Sequence, residues 1–493
     1  MGPYQDSVHA QRLTAFSLNT CVVTRGERMP SKYMIHTKPV PNRFEPVSKS
    51  GVIAWEEGCL KCAVCVKKMC VYNVYDKRGI DSRHMIESID NLCMNCYRCV
   101  QNCPKELIHK SLNPEFNAMG DSHWSPPIIA RLWNQSQTGK IPVSGAGYPG
   151  PFSGPGFDSM WTDMSEIVRP TRDGIHGREY ISTAVDLGKT PEHLMFNGSD
   201  TLEGEVPSVI DIPLPILLKV PSFGAISANT IKGWAMGARR LGTLIALPTE
   251  KIDSALENRG DCLMPLVLPK GTSVGNIPKN AKIIEIPWTE GWQRVVEDIK
   301  GRFPNLFISI RIPMAEGMEE KALSLARDGI SIIHLEGSLM SRFMDDNTRN
   351  LKDGIRSVHM KLVEENMRDG VTLLASGGLA MAEHVAKAII CGADTVFVDF
   401  PILIALECRM CRRCTKGLSC PVQIDTASPN WVASRVVNLI GAWHNQLIEV
   451  MGAMGIRDAR RVRGEVGRAM FFDDMDRTAF ESMGQIKEGC ELE

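Results

Sequence analysis

The feature that most restricts what this chain can fold into is the segment DNLCMNCYRCVQNCPKE at residues 91–107. Its cysteines have the spacing C-x2-C-x2-C-x3-C-P, which is the ligand pattern of bacterial two-cluster ferredoxins. In that pattern the first three thiolates bind one [4Fe-4S] cluster, whereas the fourth binds the other cluster. The segment therefore predicts a second cysteine run elsewhere in the chain.

A second run lies upstream in CLKCAVCVKKMCV, where the last gap is longer and Val71 stands in place of proline. We predict that one [4Fe-4S] cluster is bound by Cys59, Cys62, Cys65 and Cys103. The other is then bound by Cys93, Cys96, Cys99 and Cys70. Two tetrahedral zinc sites are the alternative, because C-x2-C pairs also suit zinc. The runs place a ferredoxin-like 2[4Fe-4S] domain at 49–112, after an N-terminal extension at 1–48.

A third run has the spacing C-x2-C-x2-C-x5-C-P and consists of Cys408, Cys411, Cys414 and Cys420. Disulfides are disfavoured, because cysteines this close in sequence are poorly placed to bridge one another. Ligation in a reducing compartment is the better interpretation, and it predicts a third iron-sulfur cluster. Cys262 and Cys391 stand in apolar surroundings and are predicted to be buried thiols.

Composition limits the partners of the chain. The net charge is -1 over 493 residues, and the basic residues form no stripe, which argues against nucleic acid. The first residues, MGPYQDSVHAQRLTAFS, contain no apolar signal core, and no apolar run is long enough to span a membrane. We therefore expect a cytoplasmic protein.

From residue 216 onward, short apolar runs alternate with helical patterns. The strand candidates are ILLKVPS, TLIAL, CLMPLVL, KIIEIPW, LFISIRI, ISIIHLE, VTLLAS and ADTVFVD. Eight strands in an α/β pattern predict a (β/α)8 TIM barrel over 206–425, in preference to an open doubly wound sheet. The link between the third and fourth strands is too short and too rich in glycine and proline for a full helix.

The segment before the barrel, at 113–205, is rich in glycine, proline and serine, and we expect it to wrap another domain. It contains Arg169, Arg172, His176 and Arg178, which form either a surface strap or a polar wall above an active site.

The seventh strand ends in Ser376-Gly377-Gly378 and opens into a helix. In TIM barrels such a position often binds phosphate, since the helix N-terminus supplies free N–H groups, and it would suit the phosphate of FMN. A tight turn without a ligand is the alternative. His334, at the end of the sixth strand, is either a site residue or a satisfied core histidine.

The segment VPSFGAIS at 220–227, then SGGL, then the third cysteine run with Pro421, occur in this order in the FMN-dependent barrel domain of glutamate synthases. From about 55 to 475 the chain resembles that family, joined to a ferredoxin module as in its short archaeal-type forms. The segment SGPGFDSMWTDMSEIVRPTRDGIHGREYIS is similar to what precedes the barrel there. The tail NLIGAWHNQLIEVMGAMGIRDARRVRGEVGR, within a C-terminal helical segment at 426–493, resembles the family's helical pair.

The resemblance implies roles for particular residues. Ser222, Gly224 and Ser227 would lie against the isoalloxazine ring, and Ser376, Gly377 and Gly378 would hold the phosphate. Arg311 replaces a family lysine and would stabilise reduced flavin as the catalytic cation. Cys408, Cys414 and Cys420 match the ligands of the family's [3Fe-4S] cluster, and the added Cys411 favours [4Fe-4S].

Several family segments are replaced in this chain. ALPTEKI and LEGSLMS stand where glycine-rich loops are expected after the second and sixth strands, and Asp399 and Phe400 follow the eighth. An acidic group there would oppose a phosphate. No amidotransferase domain precedes the barrel, so a separate glutaminase subunit would have to supply ammonia.

Two redox functions remain open at this point. In the first, ferredoxin or another redox subunit donates electrons that pass through the clusters to FMN and on to 2-iminoglutarate, which gives glutamate. In the second, the chain is a flavin and iron-sulfur electron-transfer subunit of a larger complex without glutamate synthase activity. A third, non-redox interpretation has structural zinc and a barrel that serves as a binding scaffold.

Overall fold

The computed structural model describes residues 33–54, 57–75, 88–141, 154–162, 181–189, 195–198, 202–203, 209–267 and 277–472, together with 475 and 478. Arg169, Arg172, His176 and Arg178 lie outside these residues, as does most of the Gly/Pro-rich stretch at 145–157.

The N-terminal cysteine runs lie between two paired strands. Strand β1 (Ser50–Ala54) pairs antiparallel with β2 (Ile108–Leu112). The first run contains a single π-helical turn, Val64–Met69, and the second contains helix α1 (Arg98–Gln101). These two short helices pack against each other, and a small core that includes cysteine side chains forms between them. The strand pair therefore closes one unit that contains both runs, although a ferredoxin-like fold stays a prediction.

The segment between this unit and the barrel forms short elements. Helix α2 (Pro114–Asn117) and helix α3 (Pro126–Thr138) come first. The strands that follow are β3 (Met160–Thr162), β4 (Val185–Gly188), β5 (Met195–Phe196), β6 (Leu202–Glu203) and β7 (Val209–Ile212). They pair antiparallel as β4 with β7 and β5 with β6, while β3 pairs with a last strand, Ala469–Phe471.

Eight parallel strands close into a barrel, which confirms the predicted architecture. All of the strand candidates read from the sequence are strands of this barrel. In chain order they are β8 (Ile216–Lys219), β9 (Ile245–Pro248), β10 (Leu263–Leu266), β11 (Ile283–Pro287), β12 (Phe307–Pro313), β13 (Ile332–Glu336), β14 (Thr372–Ser376) and β15 (Thr395–Val398). Each strand pairs with its neighbour in sequence, and β15 pairs with β8 to close the ring. Their apolar side chains are buried almost completely, as expected for strands covered on both faces.

Seven helices lie between and after the strands of the barrel in its described residues. They are α4 (Ala228–Leu241), α5 (Ser254–Glu257), α6 (Trp292–Arg302), α7 (Met318–Arg327), α8 (Leu351–Glu364), α9 (Ala382–Ile390) and α10 (Phe400–Ile404). Helix α4 begins at a capping box, in which Ser227 Oγ accepts from Thr230 N and the Thr230 hydroxyl accepts from Ser227 N. The link between β10 and β11 includes residues 268–276, which are outside the described part.

One long helix, α11 (Pro429–Ala453), follows the third cysteine run and packs on α4, α3 and α9. Gly233 permits the close approach to α4, since a Cβ there would lie 2.5 Å from Val432 Cβ. The helical pair expected from the resemblance is therefore wrong for the described residues. The helix ends before Gly455, whose φ of 69° breaks the helical path, and the rest of the quoted tail, up to Arg468, forms two 3-10 turns.

The N-terminal extension is anchored to this C-terminal helix. Asn438 Nδ2 donates to the carbonyl oxygen of Lys38 at 2.7 Å, and the fully buried Arg435 donates to Asn42 Oδ1 at 2.7 Å. Arg435 also donates to the carbonyl oxygen of Ala405 at 2.8 Å. Extension, barrel and C-terminal helix are thus joined around one buried cation. Within the described residues, no helix combines the length and apolar character that crossing a membrane requires.

Candidate active site

Four cysteines of the N-terminal unit line one hollow. Cys59, Cys62 and Cys65 from the first run meet Cys103 from the second around about 370 Å³ of space not filled by atoms. This is the set that the spacing predicts for one cluster. Lys105 and Leu107 complete the wall on the side of β2.

Three cysteines from the two runs lie near Tyr75. Burial raises the pKa of Tyr75, and nearby Cys99, Cys65 and Cys70 raise it further. The Tyr75 hydroxyl therefore lies among thiols from both runs. Lys110 Nζ donates to Cys93 Sγ at 3.0 Å, which places a cation beside the first cysteine of the second run.

The third cysteine run lines a hollow beside the barrel. Residues 223–225, in the loop after β8, form part of the same wall as its four members, which are Cys408, Cys411, Cys414 and Cys420. The side chain that the added Cys411 contributes therefore faces the same space as the other three. Burial raises the pKa of Cys408 to about 12, so a bound cation is needed to keep it as a thiolate.

All three runs share one backbone conformation. The second and fourth residues after the first cysteine have positive φ between 53° and 58°, although none is glycine; they are Lys61 and Ala63, Asn95 and Tyr97, and Met410 and Arg412. This conformation turns backbone N–H groups toward the cysteine sulfurs. Lys61 N donates to Cys59 Sγ, and Met410 N to Cys408 Sγ, both at 3.4 Å. Left-handed backbone is energetically costly for residues other than glycine and is retained mainly where it helps to bind a ligand. Backbone N–H groups that point toward the sulfurs favour a negatively charged group such as an iron-sulfur cluster.

Among the described residues, no three His, Cys, Asp or Glu side chains come together closely enough for a single metal ion.

The third run is attached to the segment that leaves the N-terminal unit. Arg409 forms an ion pair with Glu115, and Arg412 Nη2 lies 2.8 Å from Asp121 Oδ2. The carbonyl oxygen of Arg409 accepts from Gly120 N at 3.2 Å. These contacts fix the third loop relative to helix α2 and its C-terminal end.

Charged side chains meet inside the barrel, where apolar residues usually fill the space. Arg311 Nη1 lies 3.2 Å from Glu336 Oε1, and Arg311 Nε lies 3.6 Å from Glu285 Oε1. Lys219 forms an ion pair with the same oxygen of Glu336. Burial alone would raise the pKa of Glu336, but Lys219 and Arg311 hold it at about 2. The carboxylate is therefore ionised and shared by two cations.

His334 continues this network deeper into the barrel. Its Nδ1 lies 2.7 Å from Glu285 Oε2, and its Nε2 lies 2.8 Å from Ser376 Oγ. Burial would raise the pKa of Glu285, whereas His334 and Arg311 lower it, and the net shift is downward. His334 is thus a hydrogen-bonded core residue that links two strands to the glycine loop.

Sequence reasoning missed three members of this network: Lys219, Glu285 and Glu336. The available signal was a charged residue at an inward position of an otherwise apolar strand, in ILLK, IIEIP and IIHLE. Strand register then brings the residues together, since Arg311 pairs with His334 and Glu336 pairs with Ser376.

The residues predicted to contact the flavin ring lie at the barrel mouth. Ser222 is exposed there, and Gly224 lies between the third hollow and the methyl groups of Leu403. The hydroxyl of Ser227 is engaged as the N-cap of α4. Phe223 packs on the fully buried Phe400, with ring centroids 4.7 Å apart.

The predicted phosphate loop is buried. Gly377 and Gly378 have φ of 118° and 62°, and a Cβ on Gly377 would lie 2.6 Å from the carbonyl of Gly337. Within the part of the chain that the structure describes, the N–H groups of Gly377, Gly378 and Leu379 have no hydrogen-bond acceptor. They are available to an anion. Burial also raises the pKa of Asp399, which weakens the expected opposition to a phosphate.

Comparison with known proteins gives the family. The model for the conserved region in glutamate synthase matches residues 277–457. Archaeal glutamate synthase (NADPH) of Archaeoglobus fulgidus is 24% identical over 475 residues, covering 83% of this chain and 91% of that protein. Archaeal-type glutamate synthase (NADPH) of Dehalococcoides mccartyi is 23% identical over 471 residues, covering 83% and 92%. These similarities extend over most of the chain and support its place in the glutamate synthase family.

This glutamate synthase family member is an enzyme of the oxidoreductase class. The matched region begins before β11 and ends after α11, so it includes Arg311, Glu336, the glycine loop and the third cysteine run. Among solved structures, a flavocytochrome b2 variant with sulfite bound is similar at 13% identity and a TM-score of 0.43, covering 77% of this chain and 88% of that one.

Proposed function

We propose that this protein is a cytoplasmic iron-sulfur flavoprotein that passes electrons from two ferredoxin-type clusters through a third cluster to FMN and then to an organic acceptor. In the glutamate synthase family the acceptor is 2-iminoglutarate and the product is glutamate. The observation that carries this proposal is the third hollow. Four cysteines and residues 223–225 of the barrel mouth line the same space, so an iron-sulfur cluster there would adjoin a flavin.

The cysteine residues fit iron-sulfur clusters. The first hollow contains the set that ferredoxin spacing requires, and all three runs use the same strained, N–H-presenting backbone. The third run repeats the C-x2-C-x2-C spacing, and Cys420 lines the same hollow as these three cysteines. Four thiols favour [4Fe-4S] over [3Fe-4S] at this position.

The barrel mouth contains groups that could bind FMN and that are not hydrogen-bonded to other described residues. Ser222 and Gly224 would lie beside the ring, and the N–H groups of the loop at 377–379 would bind the phosphate. Bound FMN would accept single electrons and deliver a pair. Arg311 and Lys219 bring two cations to the mouth, where Glu336 pairs with both, and Phe223 and Phe400 add an apolar surface.

The proposed reaction needs an electron donor and a source of ammonia. Reduced ferredoxin or another redox subunit would supply electrons to the N-terminal unit, and a separate glutaminase subunit would supply ammonia. The protein would then act as part of a complex.

Anaerobically purified protein tests this proposal. Iron, sulfide and FMN should be present together, and reduced ferredoxin or viologen with 2-oxoglutarate and ammonia should yield glutamate. Fully loaded protein that produces no glutamate would rule out this acceptor. Protein that binds zinc in place of iron would rule out the electron path.

A second function is favoured by the charges inside the barrel. Arg311 and Lys219 are both paired with Glu336, so neither cation is free to bind a substrate carboxylate. On this view the chain is an electron-transfer subunit without glutamate synthase activity. Co-purification with other redox subunits, together with flavin reduction but no turnover of 2-oxoglutarate, would support it.

A further inference from the structure

A polar cavity lies at the rim of the barrel mouth, next to the glycine loop. It is located between the loop after β13 and the start of helix α9, and residues 154–158 form one wall. Its volume is about 730 Å³. Small-molecule sites commonly occupy about 300–1,000 Å³, so this space is large enough for a small organic ligand.

His384 presents an unused donor to this cavity. Its side chain is only 4% exposed, and its Nδ1 accepts from Ala380 N at 3.2 Å, so the ring proton is on Nε2. Nε2 has no hydrogen-bond partner. Phe157 stacks on the ring at 5.3 Å between centroids and holds its orientation. A buried N–H without an acceptor is costly, so a partner is expected when the protein functions.

An unused acceptor lies opposite this donor. Asp158 Oδ1 is buried without a hydrogen-bond partner and lies 3.8 Å from His384 Nε2, which is too far for a direct hydrogen bond. A single ligand hydroxyl between them could accept from His384 and donate to Asp158. A carboxylate or phosphate oxygen could not, because Asp158 would repel it.

Two further groups supply an anion subsite. Ser341 is 7% exposed, has a left-handed φ of 60°, and its buried hydroxyl has no partner. Within the described residues, the guanidinium of Arg342 forms no ion pair and donates only to the carbonyl oxygen of Asn347. The start of α9, a helix of nine residues, adds partial positive charge to the same cavity.

We propose that this cavity binds a small hydroxylated anion, with its carboxylate or phosphate group on Arg342 and Ser341 and its hydroxyl between His384 and Asp158. Hydroxy acids and sugar phosphates share this chemistry.

Calorimetric titration of the cofactor-loaded protein tests the proposal. The probes are glycerate, glycerol 3-phosphate, and inorganic phosphate, which lacks the hydroxyl arm. We expect one of the two hydroxylated probes to bind at least tenfold more tightly than inorganic phosphate, and the stronger of the two identifies the anionic group.

Matched variants separate the two subsites. Arg342→Gln should weaken the preferred probe at least tenfold, whereas Arg349→Gln, which changes an exposed arginine of the same loop, should leave it unchanged. Asp158→Asn should remove the preference over inorganic phosphate without removing phosphate binding. The proposal fails if no probe binds at millimolar concentration, or if Arg342→Gln binds the probe as wild type does while retaining its fold by circular dichroism.

Discussion

Arg412 Nη2 lies 2.8 Å from Asp121 Oδ2, and this ion pair joins the third cysteine loop to the segment that leaves the N-terminal unit. Arg409 and Glu115 make a second pair between the same segments. Exposed ion pairs contribute little to stability. Two of them at one junction are better explained by orientation, which the proposed electron transfer between neighbouring clusters would require.

Removal of the Arg412–Asp121 pair should slow electron transfer without loss of iron. We expect Arg412→Ala to lower the rate at which reduced viologen or ferredoxin reduces the flavin, since the loop is less firmly held. Stopped-flow absorbance measures this rate. Lys416→Ala removes the same charge from the exposed part of the loop and should leave the rate unchanged. Equal rates in wild type and Arg412→Ala would show that the pair has no such role.

Cys411 should determine the type of the third cluster. We expect Cys411→Ala to contain about one iron fewer per chain, because three thiolates can hold a [3Fe-4S] cluster whereas four favour [4Fe-4S]. Electron paramagnetic resonance of the oxidised protein should then show a [3Fe-4S] signal that wild type lacks. Cys262→Ala, which changes a buried cysteine outside the runs, is the control and should keep the wild-type iron content.

Glu336 should influence the flavin potential. Glu336→Gln removes the carboxylate that neutralises Lys219 and Arg311, so the mouth becomes more positive and the reduced flavin is stabilised. If the loss of this charge stabilises the reduced flavin by ~1–3 kcal/mol, the reduction potential of the flavin rises by tens of millivolts. Potentiometric titration measures it, and Glu364→Gln on the exposed face of α8 should show no shift. A negative shift would contradict the assignment of the flavin to this mouth.

His359 should make stability depend on pH. Burial, and then the charge of Arg368, lower the pKa of His359 to about 4 from an ordinary value near 6.5. The unfolded chain therefore binds the proton first, and stability is lost as pH falls from about 6.5 toward 4. We expect the fall in melting temperature over this range to be smaller in His359→Gln, whose amide can still accept from Arg368 Nε. The exposed His36→Gln should behave like wild type.

Gly233 should be required for packing between α4 and α11. A Cβ there would lie 2.5 Å from Val432 Cβ, so Gly233→Ala should destabilise the protein by about 1–3 kcal/mol through overpacking. Gly301, in helix α6, has open space around its Cα, and Gly301→Ala should stabilise by about 0.5–1 kcal/mol. Scanning calorimetry of both variants compares the two. A neutral Gly233→Ala would mean that the helices can separate without cost.

The barrel could be predicted because each strand has its own local signature. The apolar runs are short, they lie between helical patterns, and strands such as IIHLE need no distant information to be recognised. The grouping of Cys103 with the first run was also predictable, because in the ferredoxin pattern the fourth cysteine of one run binds the cluster of the other run.

The charged network inside the barrel could not be predicted in the same way. Lys219, Glu285 and Glu336 lie on strands far apart in sequence, and only register brings their side chains within ion-pair distance. The capping role of the Ser227 hydroxyl at α4 was not predicted, and its contact with the flavin stays a prediction. The helical pair of the tail was taken from the family resemblance, and the residues themselves form one long helix.

The contacts of Asn438 with Lys38, and of Arg435 with Asn42, have a consequence for how the molecule is made. Lys38 and Asn42 have no surface to bind until nearly all of the chain has been synthesised. Docking of residues 38–42 on α11 is therefore a late event that completes the molecule only after translation.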